Sequence, residues 1–420
     1  MSSTFKTFFK GLIYLSMISV LKKSSASPSR SNYDFKIKYQ WKQIEYKFRD
    51  EQERSAAIAN GSFNAGRLQP TDAQYTYDAY SGLERVFIAT PRLTPTGYPA
   101  TLGVVTHETR DGNPIIDPYP SWSWQINPEE CRYHRIVSVY RVWADECNRL
   151  WVADTGFVAG NATCLPQILA FDLRTNQLIH KYEVPYVQVR NLSLYIAPMA
   201  EVEDFANNCE NTWIYVPDTD TPSLLVYSLK LNDSWVVLDE SFTADPQYNT
   251  YTIEGQTFRF NDGIFTAALS PKSDGPSKRK LHYHAMSNVK ESWVYVKHLK
   301  NPRNFDFPYC SPQLFYTYHG RRKRQSPTEA ADRKGNIYFS ILTENQLVKW
   351  NPSTAYIESN FEIITPPSLP ILFASGLKVL PHKDGKGEVL WVFDVAFERS
   401  QTGNLNGSTV NFRLFEAWLD

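Results

Sequence analysis

Six copies of one short apolar-aromatic strand recur along this chain, and that repetition leaves few architectures open to it. The copies are Arg85-Val-Phe-Ile-Ala-Thr, Arg149-Leu-Trp-Val-Ala-Asp-Thr, Trp213-Ile-Tyr-Val-Pro-Asp-Thr, Leu281-His-Tyr-His, Asn336-Ile-Tyr-Phe-Ser and Val389-Leu-Trp-Val-Phe-Asp. Aligned on Phe87, Trp151, Tyr215, Tyr283, Tyr338 and Trp391, they stand 64, 64, 68, 55 and 53 residues apart, the spacing of propeller blades. Turn residues precede each copy, as in Tyr80-Ser-Gly, Asn208-Cys-Glu and Lys383-Asp-Gly, so each reads as the second arm of a hairpin. A third apolar run follows, such as Ile168-Leu-Ala-Phe, Leu224-Leu-Val-Tyr and Phe412-Arg-Leu-Phe. The expectation is an all-β, six-bladed β-propeller. The alternating segment from Ile37 to Tyr46 is expected to add an outer strand to the last blade and so join the two ends of the ring.

Composition agrees with strands and turns: 25 Tyr, 24 Phe and 11 Trp stand beside 26 Pro and 19 Gly in 420 residues. Lys plus Arg equals Asp plus Glu, 44 each. No charge excess therefore argues for nucleic acid or an anionic membrane as partner. Lys6 and Lys10, the apolar stretch Gly11 to Leu21 and the small residues Ser24, Ser25 and Ala26 read as a secretory signal over residues 1–26. That stretch is too short to span a bilayer, so no membrane association beyond the signal is expected. Residues 27–420 then form a single domain.

Five sequons, at Asn60, Asn161, Asn191, Asn232 and Asn406, agree with an extracellular location. The five cysteines form no CxxC pair. Disulfides are expected rather than zinc, with Cys131 to Cys164 and Cys147 to Cys209 as the pairs, since each pair should share one face of a propeller. Cys310 is left over. The basic run Arg321-Arg-Lys-Arg reads as a solvated loop, with proteolytic processing as the alternative.

Several strings, taken in order, resemble a known family. They are Trp41 with Arg54-Ser-Ala-Ala-Ile, Val86-Phe-Ile-Ala-Thr-Pro-Arg, Pro99-Ala-Thr-Leu, Cys147-Asn-Arg-Leu-Trp-Val-Ala-Asp-Thr-Gly, Asp262-Gly-Ile-Phe and Ser375-Gly-Leu-Lys-Val. From about residue 39 to residue 397 the chain resembles the insect yellow and major royal jelly proteins. The resemblance implies a secreted six-bladed propeller with a role in pigmentation, cuticle, saliva or nutrition. Some members of that family convert dopachrome in melanin formation and others bind biogenic amines, so membership leaves open whether the chain is an enzyme.

Inner strands of a propeller start on the face where second strands end, and residues there should ring one mouth of the central channel. That ring would hold Arg135, Asn261, Gln325, Ser326 and Ser375 as ligand-binding groups, and His284, Glu344 and Asp262 as candidate general bases. Asp154 and Asp218, each followed by Thr, are expected to hold turns instead. His282 and His284 share one side of a strand and could equally sit between blades. The implied partner is a catechol, an indole or a biogenic amine. Dopachrome rearrangement needs no cofactor, because the oxidised ring is its own electron sink. No ligand motif for a metal is present, and GxSxG, HExxH and nucleotide-binding fingerprints are absent from the sequence.

Overall fold

The computed structural model describes residues 33–190, 192–205, 208–305, 312–369 and 371–419, and Ser31–Asp420 clusters as one compact unit. The expected leader over residues 1–26, the sequon at Asn191 and Cys310 lie outside the described residues. Six antiparallel four-stranded sheets follow one another as blades, the first carrying a short fifth strand. Their inner strands are Asp72–Asp78, Val139–Ala144, Met199–Val202, Ile264–Leu269, Glu329–Ala331 and Ala374–Pro381. Their second strands are Leu83–Ala89, Arg149–Asp154, Thr212–Asp218, Lys280–Ala285, Ile337–Ile341 and Glu388–Val395. Each second strand contains one of the six aligned aromatic residues. Among the described residues no helix is long and apolar enough to cross a membrane.

The period of two in the repeat explains why blades stack. Along Arg149–Asp154, Leu150 and Val152 pack with Phe87, Ala89 and Leu102 of the first blade. Trp151 and Ala153, pointing the other way, pack with Ile214, Val216 and Tyr227 of the third. A second strand therefore serves two blade interfaces at once. Each large side chain buried there is worth roughly 1.5–3 kcal/mol relative to exposure.

Ring closure divides the N-terminal segment. Phe35–Trp41 pairs antiparallel with Phe412–Leu419 as the outer strand of the sixth blade. Glu45–Tyr46 instead pairs in parallel with Ile115 and Ile116 of the first blade, so the segment serves both ends of the ring. The crossing is pinned at its middle. Asn113 accepts the Lys42 amide at 2.7 Å, Asn411 donates to the Lys42 carbonyl at 2.7 Å, and the Trp41 indole donates to the Pro114 carbonyl at 2.9 Å.

Two disulfides are formed. Cys131–Cys164 ties the loop entering the second blade to the segment after that blade's second strand, and Cys147–Cys209 joins the hairpin turns of the second and third blades. Asn60, Asn161, Asn232 and Asn406 are exposed. The basic run is only partly solvated: Arg321, Lys323 and Arg324 are exposed, whereas Arg322 is buried. Its guanidinium donates to the carbonyls of Asn288, Lys290 and Arg324 and to the Tyr356 hydroxyl.

Candidate functional site

At the mouth where inner strands begin, most carboxylates serve the backbone. Asp154 accepts the amides of Val137 and Ser138, each at 2.8 Å, Asp218 accepts the Leu194 amide at 2.8 Å, and Asp394 accepts the Phe373 amide at 2.9 Å. Each thereby fixes the loop that feeds its own inner strand. Burial pushes all three carboxyls upward, Asp394 to about 7. Asp262 differs, because it faces another acid. Burial, and then the charge of Asp220, pushes Asp262 up to about 7. The same two acids, after burial itself, raise Tyr140.

The other candidates occupy varied places. Asn261 is exposed, and Glu344 is exposed in the turn between the second and third strands of the fifth blade. Arg135 turns toward the loop before it, donating to the Ser123 carbonyl and lying 3.6 Å from Glu130. Gln325 donates to the carbonyls of Tyr248 at 2.8 Å and Thr250 at 2.9 Å, holding the extra hairpin Thr250–Ile253 and Gln256–Arg259. Tyr251 of that hairpin meets the Ser287 hydroxyl at 2.6 Å, and Ser287 accepts the Asp262 amide at 3.2 Å. A hydrogen-bonded path therefore connects the Gln325 region with Asp262. Ser375 donates to the Thr71 carbonyl at 2.7 Å, joining the last blade to the first.

The wide opening is at the opposite mouth, where inner strands leave the channel. A cavity of about 1150 Å³ lies there, lined among others by Tyr75, Trp143, Gln74, Lys378, Arg279 and Glu329. This combination of aromatic rings with a few charged groups suits a small organic ligand. Most lining acids are already engaged. Asp145 pairs with Arg149 at 2.7 Å and accepts the Trp151 indole at 2.7 Å. Glu201 takes Arg279 and the Tyr215 hydroxyl, both at 2.8 Å. Asp332 takes the Tyr338 hydroxyl at 3.0 Å. Lys378 donates to the buried Asp72.

Glu329 is the exception among these acids. It is 2% exposed, its carboxylate is buried, and the groups that face it are His284 and Glu291. Behind it stand His284, on the second strand of the fourth blade, and Glu291, just before that blade's third strand. The His284 Nδ1 atom lies 2.9 Å from Glu291 Oε2 and 3.0 Å from Glu329 Oε2, while its Nε2 lies 3.1 Å from the Ser326 carbonyl. All three side chains are buried. Burial and then the charge of Glu329 push the Glu291 carboxyl up. His284 is pushed down by burial and by Arg322, yet the two acids outweigh both and its net shift is upward. His282, the other member of the strand pair, is held down to about 4, chiefly by burial.

His284 and Ser326 are thus the sequence candidates brought together here. Glu291 and Glu329 were not among them. Neither stands at a spacing from His284 that marks a ligand or proton-transfer motif, because the cluster is assembled from three segments of two blades.

Residues 137–420 match the family model described as major royal jelly protein. Major royal jelly protein 9 of Apis mellifera is 30% identical over 397 residues, covering 91% of this chain and 87% of that protein. The chain belongs to the major royal jelly protein family. Major royal jelly protein 8 of the same organism is 28% identical, covering 82% of this chain and 79% of its own length. A dopaminechrome tautomerase of Drosophila melanogaster is also 28% identical, covering 92% of this chain and 82% of the relative. The family is therefore shared across nearly the whole propeller by relatives with different names.

Proposed function

We propose that this family member is exported and that its wide cavity takes a small oxidised catechol, an indoline quinone of the dopachrome or dopaminechrome type, and promotes its rearrangement to a dihydroxyindole. The substrate class rests on the similarity to the Drosophila dopaminechrome tautomerase. Export rests on the two disulfides, which suit an oxidising compartment, and on the exposed sequons.

The observation that carries the chemistry is Glu329, a cavity-lining residue whose buried carboxylate stands against His284 and, through it, Glu291. Rearrangement removes one proton from each of two adjacent ring carbons in turn, the C–H electron pairs flow into the quinone, and each of the two oxygens takes up a proton to finish as a hydroxyl. Dopaminechrome and its product are isomers, so no external oxidant or reductant enters. Glu329 takes the carbon-bound proton, and the shared proton of the His284 and Glu291 pair is available to recharge it. Water at the open end of the cavity relays protons to the quinone oxygens.

The test is loss of the visible aminochrome absorbance with trace protein against a boiled control. Many turnovers per chain are expected, with Glu329→Gln slowing the reaction by about 100-fold or more. Asp262→Asn, at the other mouth, should leave the rate close to normal. The reverse pattern would move the chemistry to the Asp262 mouth. No acceleration by the unaltered protein would replace catalysis by simple binding of an amine or catechol, measured by calorimetry with dopamine.

A further inference from the structure

We infer that His284, Glu291 and Glu329 form a binding site for a single divalent first-row cation, with zinc the best fit, set in the channel wall between the fourth and fifth blades. The inference starts from the tautomer of His284. A carbonyl oxygen only accepts hydrogen bonds, so the Nε2 atom 3.1 Å from the Ser326 carbonyl must carry a hydrogen. In the neutral ring the Nδ1 lone pair then points toward Glu291 Oε2 at 2.9 Å and Glu329 Oε2 at 3.0 Å. Three electron-rich atoms converge on one point, and something positive must lie among them.

A single proton serves this set poorly. One N–H or O–H is shared here among several acceptors: His284 Nδ1 lies within 3.0 Å of an oxygen from each acid, and the remaining oxygens, Glu291 Oε1 and Glu329 Oε1, are buried. The nearest fixed cation, Arg322, lies 3.9 Å from Glu291 Oε2, and its hydrogen bonds go to three carbonyls and the Tyr356 hydroxyl. Unpaired buried carboxylate oxygens are costly, and a dication would meet several of them at once.

The dimensions agree. The candidate ligand atoms all lie within 4.8 Å of one another. Zinc bonded to nitrogen and oxygen at about 2.0–2.2 Å in a tetrahedron sets ligand atoms about 3.3–3.5 Å apart, so the two short contacts need open by only a few tenths of an ångström. One imidazole and two carboxylates suit zinc or its first-row neighbours better than calcium, which takes more oxygen ligands. The Ser326 carbonyl orients the ring from behind, as outer-sphere acceptors do for metal-bound histidine. Glu329 is part of the cavity lining, the side from which a cation and a fourth, non-protein ligand would reach the buried cluster. Proton and cation are alternative occupants: with the cation bound, Glu329 is a ligand and no longer a proton acceptor.

The full secreted chain, stripped with a chelator and dialysed, is titrated with Zn²⁺ against a chromophoric competitor. It is then titrated with Co²⁺, whose visible bands report nitrogen and oxygen coordination. About one equivalent should bind, with a raised Tm, and Glu291→Gln and Glu329→Gln should each weaken binding at least about 10-fold. Asp384→Asn, at the exposed contact of Asp384 with His382, should change nothing. Stoichiometry well below one in the unaltered chain, or binding undiminished in both glutamine variants, would overturn the inference. The cobalt spectrum of the unaltered chain keeps the test decisive if a variant fails to fold. Because the readout is metal binding alone, absence of aminochrome turnover would leave it standing, and the converse also holds.

Discussion

Arg322 shows how much one residue in a run of like charges can differ from its neighbours. Four consecutive basic residues read as solvated in sequence, since nothing in identical chemistry marks the one that turns inward. The fold marks it: the Arg322 amide donates to the Val289 carbonyl, and its guanidinium reaches the carbonyls of Asn288 and Lys290 in the loop 288–291. There it also offsets the Glu291 charge. Replacing it by Met keeps much of the volume and removes the donors and the charge. Arg322→Met should therefore destabilise the protein by about 3–5 kcal/mol, the cost of breaking a buried ionic network from one side. Lys323→Met, one position on, loses only an exposed pair with Glu358 and should leave the urea midpoint nearly unchanged. Equal effects of the two substitutions on urea unfolding would show that the run acts only as surface charge. The burial also argues against processing within the folded chain, because a protease needs an extended, accessible backbone around the bond it cuts.

At the scale of elements, second and third strands were the most legible, for a physical reason: they are buried on both faces, so their apolar runs are continuous and their aromatic residues recur in register. Trp151 and Trp391 announce themselves in this way. Inner strands were harder to read because they face the channel and contain polar residues such as Asp72, Gln74 and Glu329. The helix Glu51–Ala59 gave no apolar stripe, burying only Ala57; it is set by the Asp50 cap, which accepts the Glu53 amide at 2.8 Å. The disulfides act between elements. Cys147–Cys209 spans 62 residues and fastens neighbouring blades at their turns. Loop-closure entropy for that length corresponds to about 4 kcal/mol. The double variant Cys147→Ser with Cys209→Ser should lose up to that amount in equilibrium denaturation under oxidising conditions. An unchanged midpoint would mean that the blade interface, built from Trp151, Ile214 and Tyr227, already fixes the turns without the bridge.

At the scale of the whole molecule, the repeat gave the ring, while the candidate site comes from positions where the repeat is broken. His284, Glu291 and Glu329 have no counterparts in the other blades that sequence spacing could bring out, and only circular closure sets the fourth and fifth blades at the right distance. Closure itself depends on a strand of seven residues near the other end of the chain. Phe35–Trp41 covers the edge of Phe412–Leu419, whose Phe412, Leu414, Phe415 and Ala417 are buried. Trp41 is fully buried, meets Phe393 edge-on at 6.3 Å and joins the first blade through Pro114. A chain beginning at Lys42 would keep every other strand but expose an apolar edge that is ready to pair with another molecule. It should elute as oligomers in size-exclusion chromatography and lose cooperative unfolding. A synthetic peptide of residues 33–41 supplied in trans should return that shortened chain to the elution volume of the intact protein. A shortened chain that elutes like the intact protein and unfolds at the original midpoint would show that the channel walls hold the ring closed unaided. The cavity and its Glu329 cluster would then owe nothing to the terminal strand.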